Sequence, residues 1–220
     1  MVKINRLITQ TNRTIANTKK DWIVIHYVGA ESTAYNNARY FEKEYRGASA
    51  HYFVDEYSIW QVVEDKDNAW HVGGAKVYYN EARNNNSIGI EMCCKKRDGK
   101  WYIEPLTIKN TIELTKMLCK KYGINPKTNV TTHYLTTHKI CPEPFVRNPK
   151  LWEDFLKEVN MADIPELSMT EKYKKVKQVG NFDDGTIDYF TKYYWREPLS
   201  DKLYHMAVDA EKWRKNETKE

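Results

Sequence analysis

The run Trp22-Ile23-Val24-Ile25-His26-Tyr27 offers almost no polar face to water. Read as a strand, it is apolar on both sides and has to be covered on both sides. That restricts the chain to a sheet buried between other layers. A second run, Ile88-Gly89-Ile90-Glu91-Met92-Cys93, carries a different pattern. With the period of two of a strand, Ile88, Ile90 and Met92 share one face while Gly89, Glu91 and Cys93 share the other. Glu91 is then a carboxylate set in an apolar strand. A buried charge left uncompensated is costly, so Glu91 needs a partner, a metal or a raised pKa. His26 lies at the end of the first run, just before Val28-Gly29-Ala30. At the mouth of a buried strand it is placed to face a cleft, although a hydrogen-bonded core histidine fits the same position.

The remaining elements follow from periodicity. Residues 33–45 read as a helix with Ala34, Ala38, Phe41 and Tyr45 at spacings of three and four, closed by Gly47. Residues 50–54 and 58–63 read as strands joined by a hairpin turn at Asp55-Glu56-Tyr57. Trp70-His71-Val72-Gly73-Gly74 reads as a loop, with Trp70 and His71 as candidates to line a binding groove. Pro105 opens a helix with Ile108, Ile112, Thr115, Leu118, Cys119 and Tyr122 on one face, and Gly123 ends it. Residues 128–132 read as a short strand that delivers a loop from His133 to Cys141. Asn148-Pro149 caps a last helix whose apolar face is Leu151, Trp152, Phe155, Leu156 and Val159. This order defines an α/β domain, a mixed central β-sheet flanked by helices, over residues 1–162. Residues 163–220 differ in character, with a charged stretch, an aromatic stretch and an amphipathic helix from Pro198. They read as a small, mainly helical appendage, too short to hold a large core alone. It is expected to dock on the first domain, to self-associate or to bind a partner.

Composition removes several function classes. Hydrophobic residues at 41% and aromatics at 13% supply a globular core and exclude a disordered polymer. The formal net charge of +5 comes without any run of Lys and Arg interleaved with aromatics, so nucleic acid is not an expected partner. Its sharper reading, beside plain solubility, is attraction to an acidic polymer. No stretch is long and apolar enough for stable membrane insertion, and no apolar segment follows Met1-Val2-Lys3-Ile4-Asn5-Arg6 as a signal peptide requires. The chain is therefore expected to be made in the cytoplasm. Of the four cysteines, Cys93 and Cys94 are adjacent and cannot readily pair, so reduced thiols are expected at these two and at Cys119 and Cys141.

The chemistry concentrates in Thr132-His133-Tyr134-Leu135-Thr136-Thr137-His138-Lys139-Ile140-Cys141-Pro142. Imidazole nitrogen and thiolate sulfur are ligands that Zn²⁺ prefers. The spacing is not that of a zinc finger and there is no C-x-x-C pair, so a three-ligand site with one open position fits better than a closed structural knot. His26, His133 and Cys141 make such a set. His138 competes with His133, because only two residues separate it from Cys141. Around a zinc ion, Glu91 is placed to take a proton from water and pass it to a leaving nitrogen, and Lys139 to stabilise an oxyanion.

The segments Ile25-His26, Ala50-His51-Tyr52-Phe53-Val54-Asp55, Asn68-Ala69-Trp70-His71, Ser87-Ile88-Gly89-Ile90-Glu91 and His133-x7-Cys141-Pro142 resemble the type 2 N-acetylmuramoyl-L-alanine amidase family over roughly residues 20–160. That family includes phage endolysins and is similar in fold to the peptidoglycan recognition proteins. The resemblance implies zinc ligands at His26, His133 and Cys141, catalytic roles for Glu91 and Lys139, and peptidoglycan as substrate. The bond cut is then the amide between N-acetylmuramic acid and L-alanine. Some members place a tyrosine just before the histidine of the second strand; Ala50 stands there in this chain, so that role is absent or passes to Glu91. The expected setting is a phage or prophage endolysin that reaches a Gram-positive cell wall after release. A bacterial autolysin and a non-catalytic peptidoglycan binder are the alternatives, the latter disfavoured because Cys141 is present. An unrelated domain with a structural zinc would need a fourth ligand such as His138 or Cys93.

Overall fold

The computed structural model describes residues 3–73 and 77–161. The charged stretch, aromatic stretch and helix expected within 163–220 lie outside the described residues. The elements run β1 (Ile4–Arg6), β2 (Trp22–Glu31), α1 (Ala34–Glu42), β3 (Tyr52–Val54), β4 (Ile59–Gln61), β5 (Ser87–Arg97), β6 (Lys100–Tyr102), α2 (Pro105–Tyr122), β7 (Val130–Thr132), α3 (His133–Thr137), α4 (Glu143–Arg147) and α5 (Pro149–Asn160). The sheet order is β1-β4-β3-β5-β2-β7, with β6 paired to β5. Pairings are parallel except β3 with β4 and β5 with β6. This is the expected mixed central sheet.

The two apolar runs lie side by side as β2 and β5, in parallel register with His26 opposite Glu91 and Val24 opposite Gly89. One face of the sheet presents Ile23, Ile25, Tyr52, Val54, Ile88, Ile90 and Met92 to Leu114 and Leu118 of α2 and Phe155 and Val159 of α5. Burying each such side chain contributes about 1.5–3 kcal/mol, so this layer supplies most of the drive to fold. The other face packs Phe53 and Cys93 against Ala34 and Ala38 of α1. The small alanines bring α1 close to the sheet at that end. Farther along the same face the strands carry His26, Gly89 and Glu91 in place of aliphatic residues.

Local chemistry accounts for the ends of the elements. Thr33 caps α1 by accepting from Asn36 N–H. Asp55 Oδ1 accepts from the backbone N–H groups of Tyr57 and Ser58, which ties the β3–β4 turn. Gly123, at φ 66°, closes α2 with its N–H on the carbonyl of Cys119.

Several expectations are corrected. α1 ends at Glu42, and Tyr45 is 73% exposed rather than on its apolar face. Asn148 makes no side-chain cap on α5. β1, β6 and α4 are additional elements, and β2 and β5 run on well past Tyr27 and Cys93. The segment from His133, expected as a loop, begins with the short helix α3, because the Thr132 hydroxyl caps it by accepting from Leu135 N–H.

Candidate metal centre

His26, at the end of the buried part of β2, is 1% exposed. β7 runs parallel to β2, with Thr132 opposite Ile25, and this sets His133 beside His26 at the start of α3. The chain then doubles back. Tyr134 N–H donates to the Cys141 carbonyl at 2.8 Å, which returns Cys141 to the helix it left. The ligand atoms of His26, His133 and Cys141 all lie within 4.8 Å of one another, and all three residues are buried. Cys141 Sγ is 3.6 Å from His26 Nδ1.

The two imidazole donors are in the state a cation needs. His133 Nε2 lies 3.1 Å from the carbonyl of Gly73, which only accepts, so this nitrogen carries the proton. Its Nδ1 keeps a lone pair and is buried without a hydrogen-bond partner among the described residues. An orphaned acceptor of this kind is costly unless something fills the space it faces. Burial lowers the pKa of His26 well below its usual 6.5 and that of His133 to about 4, so both are neutral ligands at physiological pH. Burial, and then the neighbouring Glu91 charge, pushes the Cys141 thiol up, a penalty that a bound cation relieves by taking the thiolate. Two imidazoles and a thiol suit Zn²⁺.

His138 does not join them. It sits in the left-handed region at φ 60°, just after α3, and its exposed ring stacks between Tyr79 at 3.7 Å and Tyr134 at 5.2 Å between centroids. Cys93 is held elsewhere, on Asn37 Nδ2.

Glu91 stands beside His26 on the same face of the sheet. Desolvation raises its pKa to about 7, against a smaller opposing pull from Lys139. Its Oε2 is buried without a hydrogen-bond partner among the described residues. Lys139 is exposed, close enough for its charge to act on Glu91, His26, His133 and Cys141. A carboxyl near pH 7 and an exposed ammonium thus lie near the three donors.

The two groove candidates differ in placement. Trp70 is half-buried, its Nε1–H donating to Thr14 Oγ1 and its ring against Tyr45. His71 is 7% exposed and has both ring nitrogens engaged. It lies behind His26, with Nδ1 3.0 Å from His26 Nε2. The ring is admitted there by Gly89, where a Cβ would come within 2.6 Å of it. Ser87 and Gly89 thus serve the site without having been singled out from the sequence. The signal was a glycine inside an apolar strand, which marks a close approach. His51 has both nitrogens occupied as well, accepting from Gly89 N–H and reaching the Asp67 carbonyl.

The fold and this site define a mixed α/β domain with a buried His-His-Cys donor set beside a carboxyl group. The sequence profile of the N-acetylmuramoyl-L-alanine amidases matches residues 16–144, and the chain belongs to that family. A probable N-acetylmuramoyl-L-alanine amidase of Bacillus licheniformis is 35% identical over 147 residues, 63% of this chain and 40% of the relative. The amidase CwlL of the same organism is 32% identical, over 72% of this chain and 45% of its own length. The chain thus spans less than half the length of these curated relatives. Among solved structures, PlyL superposes with a TM-score of 0.64 at 22% identity, over 74% of this chain and all of PlyL. A mutant endolysin from Bacillus subtilis superposes with a TM-score of 0.60 at 25% identity, over 73% of this chain and all of the endolysin.

Proposed function

We propose that this chain is a zinc-dependent N-acetylmuramoyl-L-alanine amidase that cleaves the amide between N-acetylmuramic acid and L-alanine in peptidoglycan. The observation that carries the reading is the unpartnered Nδ1 of His133, facing a space bounded by His26 and Cys141. His26, His133 and Cys141 hold the metal. Zinc in this position supplies a Lewis acid for the scissile carbonyl and lowers the pKa of water. Glu91, near pH 7, accepts the proton of the attacking water and returns it to the leaving nitrogen of alanine. Lys139, on its exposed loop, pairs with the oxyanion that develops on the carbonyl oxygen. Trp70 keeps a partly exposed ring for substrate contact.

The likeness to an endolysin of Bacillus subtilis supports a phage or prophage enzyme acting on a Gram-positive wall after release from the cytoplasm. Among the described residues, no helix is long and apolar enough to cross a membrane. Residues 1–162 are assigned as the catalytic domain. Residues 163–220 are assigned to wall targeting, self-association or packing, to be separated by wall pull-down and mass in solution after their deletion.

The test is release of new N-terminal alanine from purified Gram-positive walls. The wild type, the chelator-stripped protein with and without restored Zn²⁺, and Cys141→Ser are compared. Zinc-dependent release that Cys141→Ser lacks is the expected result. A metal-loaded protein that releases no N-terminal alanine refutes the amidase reading and leaves a peptidoglycan binder or a structural zinc site.

A further inference from the structure

The hydrogen bonds behind His26 read in one direction only. The Arg83 carbonyl cannot donate, so the Ser87 hydroxyl, 2.6 Å away, donates to it. Ser87 Oγ is then left as an acceptor toward His71 Nε2 at 3.2 Å, which places the His71 proton on Nε2. His71 Nδ1 is therefore a lone pair, and it accepts from His26 Nε2–H at 3.0 Å. That leaves the lone pair of His26 on Nδ1, the nitrogen 3.6 Å from Cys141 Sγ. A backbone carbonyl two side chains away thus settles which nitrogen of His26 is available to the metal.

We infer that His71 is a positioning residue for the metal ligand His26, fixing its tautomer and ring angle through a Ser87–His71–His26 relay. The inference rests on the metal-site reading above. Ligating histidines usually hand their second N–H to a carboxylate, a carbonyl or water. Here the acceptor is a neutral imidazole, and the sheet is adapted to hold it. Gly89 leaves room for the ring, since a Cβ there would stand 2.6 Å from His71 Cγ and 2.7 Å from Nδ1. Both backbone groups of Gly89 are in turn bonded to His51, through His51 N–H to the Gly89 carbonyl and Gly89 N–H to His51 Nδ1. The loop that carries His71 is pinned by Asn84, whose Oδ1 accepts from the N–H groups of His71 and Val72. His71 is therefore held on the side of His26 opposite the cysteine ligand.

The test separates the two ring nitrogens. In His71→Asn the side-chain oxygen falls where Nδ1 was and still accepts from His26. In His71→Gln the polar end reaches toward Ser87, and the acceptor for His26 is lost. Zinc dissociation constants of the full chain are measured by chelator competition, and the Co²⁺-substituted proteins by visible absorption. His71→Gln is expected to bind zinc about 10–100-fold more weakly with an altered Co²⁺ spectrum, while His71→Asn stays within about threefold of wild type with an unaltered one. Ser87→Ala keeps the imidazole but removes the group that sets its tautomer, and is expected to weaken zinc roughly tenfold. It carries the test if His71→Gln does not fold. Equal losses in His71→Asn and His71→Gln, or wild-type affinity in His71→Gln or in Ser87→Ala, overturn the relay while leaving the metal site standing. A wild type that binds no Zn²⁺ overturns the metal site and the relay together.

Discussion

Glu91→Gln separates what the carboxylate does for chemistry from what it does to the fold. The folded protein holds the Glu91 carboxyl near pH 7, whereas an unfolded chain releases its proton near 4.5. Between those values the folded state binds the extra proton, so stability falls as pH rises from about 4.5 to about 7 and is level above. The penalty works out at about 3 kcal/mol at pH 8 and under about 1 kcal/mol at pH 5. Glutamine carries no such charge. Its amide has a desolvation cost of its own, but that cost does not depend on pH. The quantity to measure is therefore the change in the stability difference between variant and wild type. It is obtained from urea unfolding of the chelator-stripped proteins at pH 5 and pH 8. Glu91→Gln should gain about 2–3 kcal/mol on the wild type across that interval, while losing about 10²–10⁴-fold in the rate of wall cleavage when zinc is restored. The buried histidines titrate in both proteins and drop out of the difference. A stability difference that is flat with pH would mean that the carboxylate is solvated, and the argument for Glu91 as a base poised near neutrality would fall with it.

Four further outcomes are expected. Lys139→Ala should lower the turnover of wall cleavage by about 10²–10³-fold with a much smaller change in zinc affinity, since Lys139 is exposed and outside the donor set; an equal loss in zinc affinity would place it in the metal site instead. Gly89→Ala should destabilise the protein by about 1–3 kcal/mol and weaken zinc binding, because the new methyl displaces the His71 ring; urea unfolding and chelator competition read the two effects, and neither moving would refute the close contact. Acidification of the metal-free protein below pH 6.5 should cost stability overall. His26, His51, His71 and His133 all have lowered pKa values, chiefly from burial, so the unfolded chain takes up protons that the folded one resists. His51 and His133, both held at about 4, together remove about 3 kcal/mol between pH 6.5 and 5, more than the roughly 2 kcal/mol that the opposite slope of Glu91 returns over the same interval; urea midpoints that rise toward pH 5 would contradict this. Phe155→Ala should cost about 3–5 kcal/mol in urea unfolding, because Phe155 is 1% exposed in the same core as β2 and β5. A loss below 1 kcal/mol would detach α5, which lies beyond the family-matched residues 16–144, from the cooperative unit.

The parts of this molecule that are legible in its sequence are those decided by periodicity over many residues. β2, β5, α2 and α5 are such elements, and the pairing of β2 with β5 is what sets His26 beside Glu91. The short elements escape. β1 and β6 have three residues each, and α3 has five, with no apolar period and a single cap to start it. His71 shows the other limit. Trp-His-Val-Gly-Gly has the composition of an open loop, and nothing within those five residues says that the imidazole is buried. The deciding residue is Gly89, eighteen positions later, whose missing side chain makes the space. Read alone, Gly89 is a weak point in a strand and Glu91 a misplaced charge. Read together on one face, they are a carboxylate opposite the ligand His26 and, two residues before it, the vacancy that admits the His71 ring. The residues that violate the rules for a buried strand are the ones that build the site, which is where such violations are expected to gather.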